Sequence, residues 1–251
     1  MKSAKYIVPN TLTVLNLMCG IAAIISLFES QPERPYLPVV LLLCAAVFDV
    51  FDGLVAKLMN ATSEFGKQLD SLADLVSFGV APAIMVYKLL VMALIIKTDS
   101  ADFLIESANF GQRALLYSAL LVAAFTALRL ARFNISAPTS DFIGLPVPAS
   151  ALIVSSVWLI FHLTSNEKIH SFILSVPILL ILIGFVCVLM VSKLPMLSLK
   201  FKGAGMRENI WRYVLVLGAI VIISVFRVNA LLFVMLYYIL LSLIATLTRK
   251  K

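Results

Sequence analysis

The sequence predicts an all-α protein, a polytopic membrane helical bundle of about eight transmembrane helices with both termini cytoplasmic. Three observations carry this. Hydrophobic residues fill 62% of the 251 positions and the mean hydropathy is +1.05, too apolar for a water-soluble domain of this size. Apolar runs of about 20 residues recur along the chain, the length of a bilayer-crossing helix, whereas a barrel would alternate in strands of about ten. The basic residues are also skewed: fourteen of the twenty Lys and Arg fall on the side of the N-terminus, and the six others (Arg34, Lys88, Lys97, Arg113, Lys168 and Arg227) share the opposite side with Glu29, Glu33, Asp99, Asp102, Glu106 and Glu167. The positive-inside rule then makes the N-terminal side cytoplasmic.

Spans are predicted over residues 9–28, 36–59, 69–96, 114–133, 146–164, 170–192, 210–227 and 229–247. The opening MKSAKYIVPNTLTVLNLMCGIAAIISLF has the basic-then-apolar order of a signal peptide, but its apolar part is long and lacks an A-x-A cleavage site, so it is expected to stay as the first span. Lys2 to Val8 either lies on the anionic leaflet or frays as a tail. Asn10, Thr13 and Asn16 recur at three-residue steps near the cytoplasmic end of this span, where they serve either helix-to-helix hydrogen bonding or substrate contact.

The second and third spans hold the stretch around which the chain is organised, Asp49 to Asp74, DVFDGLVAKLMNATSEFGKQLDSLAD. An ionised side chain at membrane depth costs at least ~2.5 kcal/mol, so four aspartates persist there only around a hydrated cavity that shares positive charge. Asp49 and Asp52 are three apart, and Asp70 and Asp74 four apart. On helices each pair projects from one face, about one turn apart. Two facing helices thus present four carboxylates to one pocket. Such a donor set suits hard Mg²⁺ or Mn²⁺, and no His or Cys lies nearby to suggest zinc. Gly53, Ala56 and Gly66 leave room beside the metals for a phosphate-bearing ligand. Solvated loops are a poor alternative, since VVLLLCAAVF precedes Asp49 and LVSFGVAPAIMVY follows Asp74. A cation-coupled transporter would repeat its motif in a second half, and no counterpart of the aspartates occurs there. Thr62 or Ser63 is a candidate cap for the third helix, Pro82 is expected to bend it beyond the site, and Lys88 to snorkel outward or pair with an acid.

The fourth span ends in LRLARFN, and FIGLPVPAS leads into the fifth. Arg129 and Arg132, at i and i+3, share a helical face and suit a carboxylate or phosphate; headgroup anchoring is the alternative. Asn134 follows them. His162 and His170 read as solvated residues flanking the outer loop, and Trp158, Trp211, Tyr213, Tyr237 and Tyr238 as interfacial anchors or packing. Cys19, Cys44 and Cys187, each in an apolar run, read as core thiols. Lys193 to Arg212 holds five basic residues and one acid and is expected to touch anionic lipid; its GAGMREN is not a phosphate loop. The last two spans, separated only around Arg227 to Asn229, should form a tight helical hairpin, and they carry no recognisable chemistry.

The pattern Asp49-x2-Asp52-Gly53-x2-Ala56-Lys57-x8-Gly66-x3-Asp70-x3-Asp74 closely resembles the signature of the CDP-alcohol phosphotransferases, membrane enzymes that join an alcohol to a phosphate carried on CDP and release CMP. Lys57 stands where the family normally has Arg, which keeps the charge and loses the bidentate fork. PNTLTVLN, RLARFN and FIGLPVPAS, in that order, resemble the phosphatidylserine synthase branch, so the likeness runs from about Pro9 to Ser150. It implies a phosphatidyl transfer from CDP-diacylglycerol to L-serine, with another alcohol such as glycerol phosphate or inositol phosphate as the alternative acceptor. It also implies roles: Asp49, Asp52, Asp70 and Asp74 as ligands of two Mg²⁺ or Mn²⁺ ions, Asp74 as the catalytic base, and Gly53, Ala56, Lys57 and Gly66 lining the CDP pocket. Arg129, Arg132 and Asn134 are assigned to the acceptor or the lipid phosphate. The expected organisation is a core of about six helices over residues 1–195, followed over 196–251 by a basic cytoplasmic loop and two further helices. A homodimer in the cell membrane is expected, among membrane lipids, with the site facing the cytoplasm and no nucleic-acid partner.

Overall fold

The computed structural model describes residues 4–29, 34–98, 108–135, 142–197 and 206–249. After a 3₁₀ turn at Ala4–Tyr6, helix α1 (Ile7–Phe28) packs along α2 (Leu37–Leu58). Helix α3 (Glu64–Leu75) passes through a π turn, Val76–Val80, into α4 (Ala81–Thr98). Then come α5 (Phe110–Tyr117), α6 (Leu120–Ile135), α7 (Val147–Leu163), α8 (Glu167–Ile173), α9 (Val176–Val191), α10 (Met206–Phe226) and α11 (Ala230–Arg249). Two-residue strands, β1 (Phe142–Ile143) and β2 (Pro195–Met196), pair antiparallel with Phe142 opposite Met196.

Every predicted span has a helical counterpart, but the count of eight is not confirmed. Among the described residues five helices are long and apolar enough to cross a membrane, or six if α8 and α9, bent by 59°, form one span. The break falls at Ser175, just before Pro177 in the first turn of α9. Helix α7 and the apolar part of α11, Ala230–Thr246, fall below the length of a full span. The chain is a multi-pass membrane protein.

The third span is longer than expected, running unbroken over Glu64–Lys97. A π turn stands just before Pro82. Proline has no N–H to give and crowds the carbonyl four residues back, here Phe78 within that turn. The last hairpin is as tight as expected: a 3₁₀ turn at Arg227–Asn229 joins α10 to α11, with Arg227 at φ 45°.

The main core collects Leu42 from α2, Met85 and Leu89 from α4, Ile153 from α7 and Leu179 from α9, and α11 adds Tyr238, Ile239 and Leu241. A smaller cluster joins Ala45, Phe78, Leu130, Val147 and Ala151, and so clamps α2, the π turn, α6 and α7 together beside the aspartates. Close approach of backbones supplies the rest, because lipid tails give apolar side chains no solvent to escape. At Gly20 of α1 an added Cβ would lie 2.7 Å from Ser77 Cα in the π turn.

Several lesser expectations change. Lys88 donates its ammonium to the Leu27 carbonyl and sits over the Phe28 ring, 5.1 Å from its centroid, and meets no acid among the described residues. His162 stacks on Trp158 and bonds its carbonyl, and His170 bonds the Thr164 carbonyl, so both are half-buried structural residues. Trp158 is packed, with its indole N–H on the Pro35 carbonyl. Cys187 is buried, but Cys44 is exposed. Lys2, Lys200, Lys202, Lys250, Lys251, Glu33, Asp99, Asp102 and Glu106, which carry much of the orientation and basic-loop reading, lie outside the described residues, as does the first part of GAGMREN.

Candidate active site

The α2–α3 corner sets the site. Asn60 takes a left-handed φ of 49°, which Asn tolerates, and the Ala61 N–H closes the turn on the Ala56 carbonyl at 2.8 Å. Ser63, one of the two expected caps, accepts from the Gly66 N–H at 3.0 Å and starts α3. Lys5, ahead of α1, donates to the Asn60 carbonyl at 2.8 Å and ties the N-terminus to the same corner.

With the corner closed, the aspartates of α2 and α3 face one another. Asp49, Asp70 and Asp74 each place one carboxylate oxygen within 4.8 Å of the others. Asp52 stands outside this trio, 6% exposed, on the wall of an adjoining cavity of about 520 Å³. Gly53, Ala56 and Gly66 line the same cavity, as do Asn10, Thr13 and Asp70, so the three small residues of the motif are gathered as expected. Lys57 is exposed and off that wall. Ala56, one turn on from Asp52, keeps the inward face, and the next residue is rotated about 100° around the axis. The lysine on the wall is Lys67, whose ammonium also donates to the Asn134 carbonyl at 2.7 Å.

Two residues of the polar stripe of α1 bond the carboxylates of neighbouring helices, while Asn10 and Thr13 also face the cavity. Thr13 Oγ1 donates to Asp52 Oδ2 at 2.5 Å, and Asn16 Nδ2 donates to Asp74 Oδ1 at 3.1 Å. Asn16 is fully buried, and its own carbonyl accepts from Ser77 Oγ at 3.0 Å, which locks α1 to the π turn. Among the described residues two oxygens stay unpaired in this buried setting, Asp70 Oδ1 and Asn16 Oδ1. Converging carboxylates with an unpartnered oxygen among them fit a hard divalent cation, since a buried acceptor without a donor is otherwise expensive.

The basic cluster of α6 divides. Arg129 is half-buried, and its Nε is buried without a hydrogen-bond partner among the described residues. Arg132 is exposed. Asn134 donates to Ser71 Oγ at 2.8 Å and so pins α6 to α3. Sequence reasoning missed Lys67, although its place directly after Gly66 was a usable signal, and it left the partners of Thr13 and Asn16 open.

Comparison with known proteins gives the chain its family. A family model described as CDP-alcohol phosphatidyltransferase matches residues 6–249. The chain is 39% identical over 152 residues to a CDP-diacylglycerol–serine O-phosphatidyltransferase of Helicobacter pylori strain J99, covering 59% of this chain and 56% of that protein. It is 34% identical over 176 residues to the protein of the same name from Methanocaldococcus jannaschii, covering 70% and 68%, and 32% identical over 146 residues to that of Bacillus subtilis strain 168, covering 58% and 71%. The match thus spans little more than half the length of the Helicobacter relative. With the family model running through nearly the whole sequence, the chain belongs to the CDP-alcohol phosphatidyltransferase family.

Proposed function

We propose that the chain transfers the phosphatidyl group of CDP-diacylglycerol to the hydroxyl of L-serine, giving phosphatidylserine and CMP. The observation that carries this is the trio Asp49, Asp70 and Asp74 within 4.8 Å, beside a cavity of about 520 Å³ walled by small residues. The relatives' printed names supply the acceptor. The family depends on metal in general. Asp49, Asp70 and Asp74 would hold it, with Asp52 beside them, and two Mg²⁺ or Mn²⁺ ions are the reading that four carboxylates favour. When bound, such ions neutralise the pyrophosphate and stabilise the CMP leaving group.

The chain's own residues do the rest. Gly53, Ala56 and Gly66 leave the nucleotide room, and Lys67 adds positive charge on the same wall. Asp74 takes the proton of the serine hydroxyl as its oxygen bonds to the lipid-linked phosphorus and the bond to CMP breaks. Asn16 holds the carboxylate for that task. Arg129, whose buried Nε has no hydrogen-bond partner among the described residues, binds the serine carboxylate. As part of the same proposal the site opens to the cytoplasmic face of the cell membrane, where serine is met, and the enzyme is a homodimer. The test supplies purified protein with CDP-diacylglycerol and, in parallel, serine, glycerol phosphate or inositol phosphate. CMP release with serine is expected; release only with a phosphorylated alcohol would move the acceptor to the second class.

A further inference from the structure

Helix α6 ends at Ile135, and the carbonyls of its last turn have no partner within the helix. One of them, that of Asn134, accepts from the Lys67 ammonium at 2.7 Å. Asn134 also holds on with its side chain: its Nδ2 donates to Ser71 Oγ at 2.8 Å, and Ser71 Oγ donates in turn to the Lys67 carbonyl at 3.2 Å. Three hydrogen bonds thus close a ring between the first two turns of α3 and the last turn of α6, two helices in direct packing contact.

Capping the negative end of α6 would be reason enough for a lysine at this place. It does not explain why the same lysine lines the cavity. Lys67 stands one turn before Asp70, and both lie on the wall that Gly53, Ala56 and Gly66 complete. An ammonium has three N–H donors, of which the Asn134 carbonyl uses one, and a neutral carbonyl leaves the positive charge intact for an anion. Lys67 is otherwise exposed, and a long, exposed side chain costs entropy when a ligand must order it. The ring supplies that order in advance.

We propose that Asn134 and Ser71 are positioning residues that hold the Lys67 ammonium at the cavity for the pyrophosphate of CDP-diacylglycerol, so that the end of α6 serves the nucleotide side of the reaction. This rests on the reading of Lys67 as a phosphate contact. It moves Asn134 from touching the acceptor or the lipid phosphate, the role its place in RLARFN implied, to acting through Lys67. Without the ring the lysine keeps its charge but must be ordered by each incoming nucleotide.

The test uses the full chain in Mg²⁺ or Mn²⁺ with two readouts: equilibrium binding of CDP, and CMP release while each substrate is varied, with whichever alcohol the wild type accepts. Asn134→Ala and Ser71→Ala should each raise the Kd for CDP and the KM for CDP-diacylglycerol about three- to fivefold, the share of one neutral hydrogen bond, with kcat and the acceptor KM unchanged. Ser71→Thr, which keeps the hydroxyl, should stay near wild type. In a Lys67→Ala background neither alanine should have a further effect. A shift in the acceptor KM would overturn the proposal and return Asn134 to the acceptor. Effects that add to that of Lys67→Ala, or lower thermal stability with unchanged CDP binding, would overturn it and leave the ring a brace. If Lys67→Ala weakens CDP binding and the two alanines do not, positioning fails and the reading of Lys67 stands; if Lys67→Ala binds CDP like wild type, both fall. A wild type that uses an alcohol other than serine would refute only the acceptor assigned above.

Discussion

Asn16 of α1 donates from Nδ2 to Oδ1 of Asp74 at 3.1 Å, across 58 positions of sequence, and both side chains are buried. The last aspartate of the motif therefore has its orientation set by a helix that carries no acid of the motif. A carboxylate that must receive a proton at one moment of the reaction is most effective when one of its oxygens is held and the other is left to face the substrate.

Asn16→Ala should fold and lower kcat about ten- to a hundredfold, the equivalent of the ~1.5–3 kcal/mol carried by a hydrogen bond to a charged group. Its KM for CDP-diacylglycerol should stay near that of wild type. Initial rates at saturating concentrations of both substrates check this, and an unchanged kcat would show that Asp74 needs no such support.

Gly20→Ala should destabilise the protein by about 1–3 kcal/mol, because the new Cβ would stand 2.7 Å from Ser77 Cα, a backbone atom that cannot turn aside. The same shift parts Asn16 from Ser77, so activity should fall as well. Thermal unfolding in detergent reads the first effect. By contrast, a Cβ at Gly53 meets nothing within 4 Å, so Gly53→Ala should unfold like wild type.

Lys67 lines the cavity and Lys57 does not, so the two lysines should separate in kinetics. Lys67→Ala should raise the KM for CDP-diacylglycerol about tenfold, as expected for one charge-assisted contact, with a smaller change for Lys57→Ala. Lys57→Arg should be tolerated at an exposed position. Paired saturation curves for the two substrates decide it; a larger defect from Lys57→Ala would return that residue to the nucleotide.

How much of this was legible in the sequence varied with the reach of the interaction. Hydropathy put a helix under each predicted span, because lipid exposure acts on each span by itself, but it did not show the breaks between α5 and α6 or between α8 and α9. The spacing of Asp49, Asp52, Asp70 and Asp74 was enough to see paired faces, and the cap at Ser63 followed from local backbone chemistry. Longer-range relations stayed hidden. Nothing local says that Asp52 pairs with Thr13 and stands apart from the trio, or that Asn134 would bond both Lys67 and Ser71, since these depend on how distant helices are docked. The π turn before Pro82 was missed for a different reason: a proline signals disruption, but neighbouring packing decides its form.

Orientation has its own test. In a chain with Cys19, Cys44 and Cys187 replaced by Ala, a cysteine at exposed Thr62 should be labelled only from the cytoplasmic side, and one at exposed Lys168 only from the other. Labelling of both from one side would end the positive-inside reading and with it the cytoplasmic site.

The most direct measurement is CMP release by the purified wild-type chain and by Asp70→Asn from CDP-diacylglycerol, with and without serine and with and without Mg²⁺ or Mn²⁺. Asp70 carries the unpartnered buried oxygen among the carboxylates, so its loss removes an acceptor that the cation would use. The expected result is release that requires both serine and divalent metal in wild type and is abolished in a folded Asp70→Asn protein; full turnover in excess chelator, or undiminished release by that variant, would contradict the account.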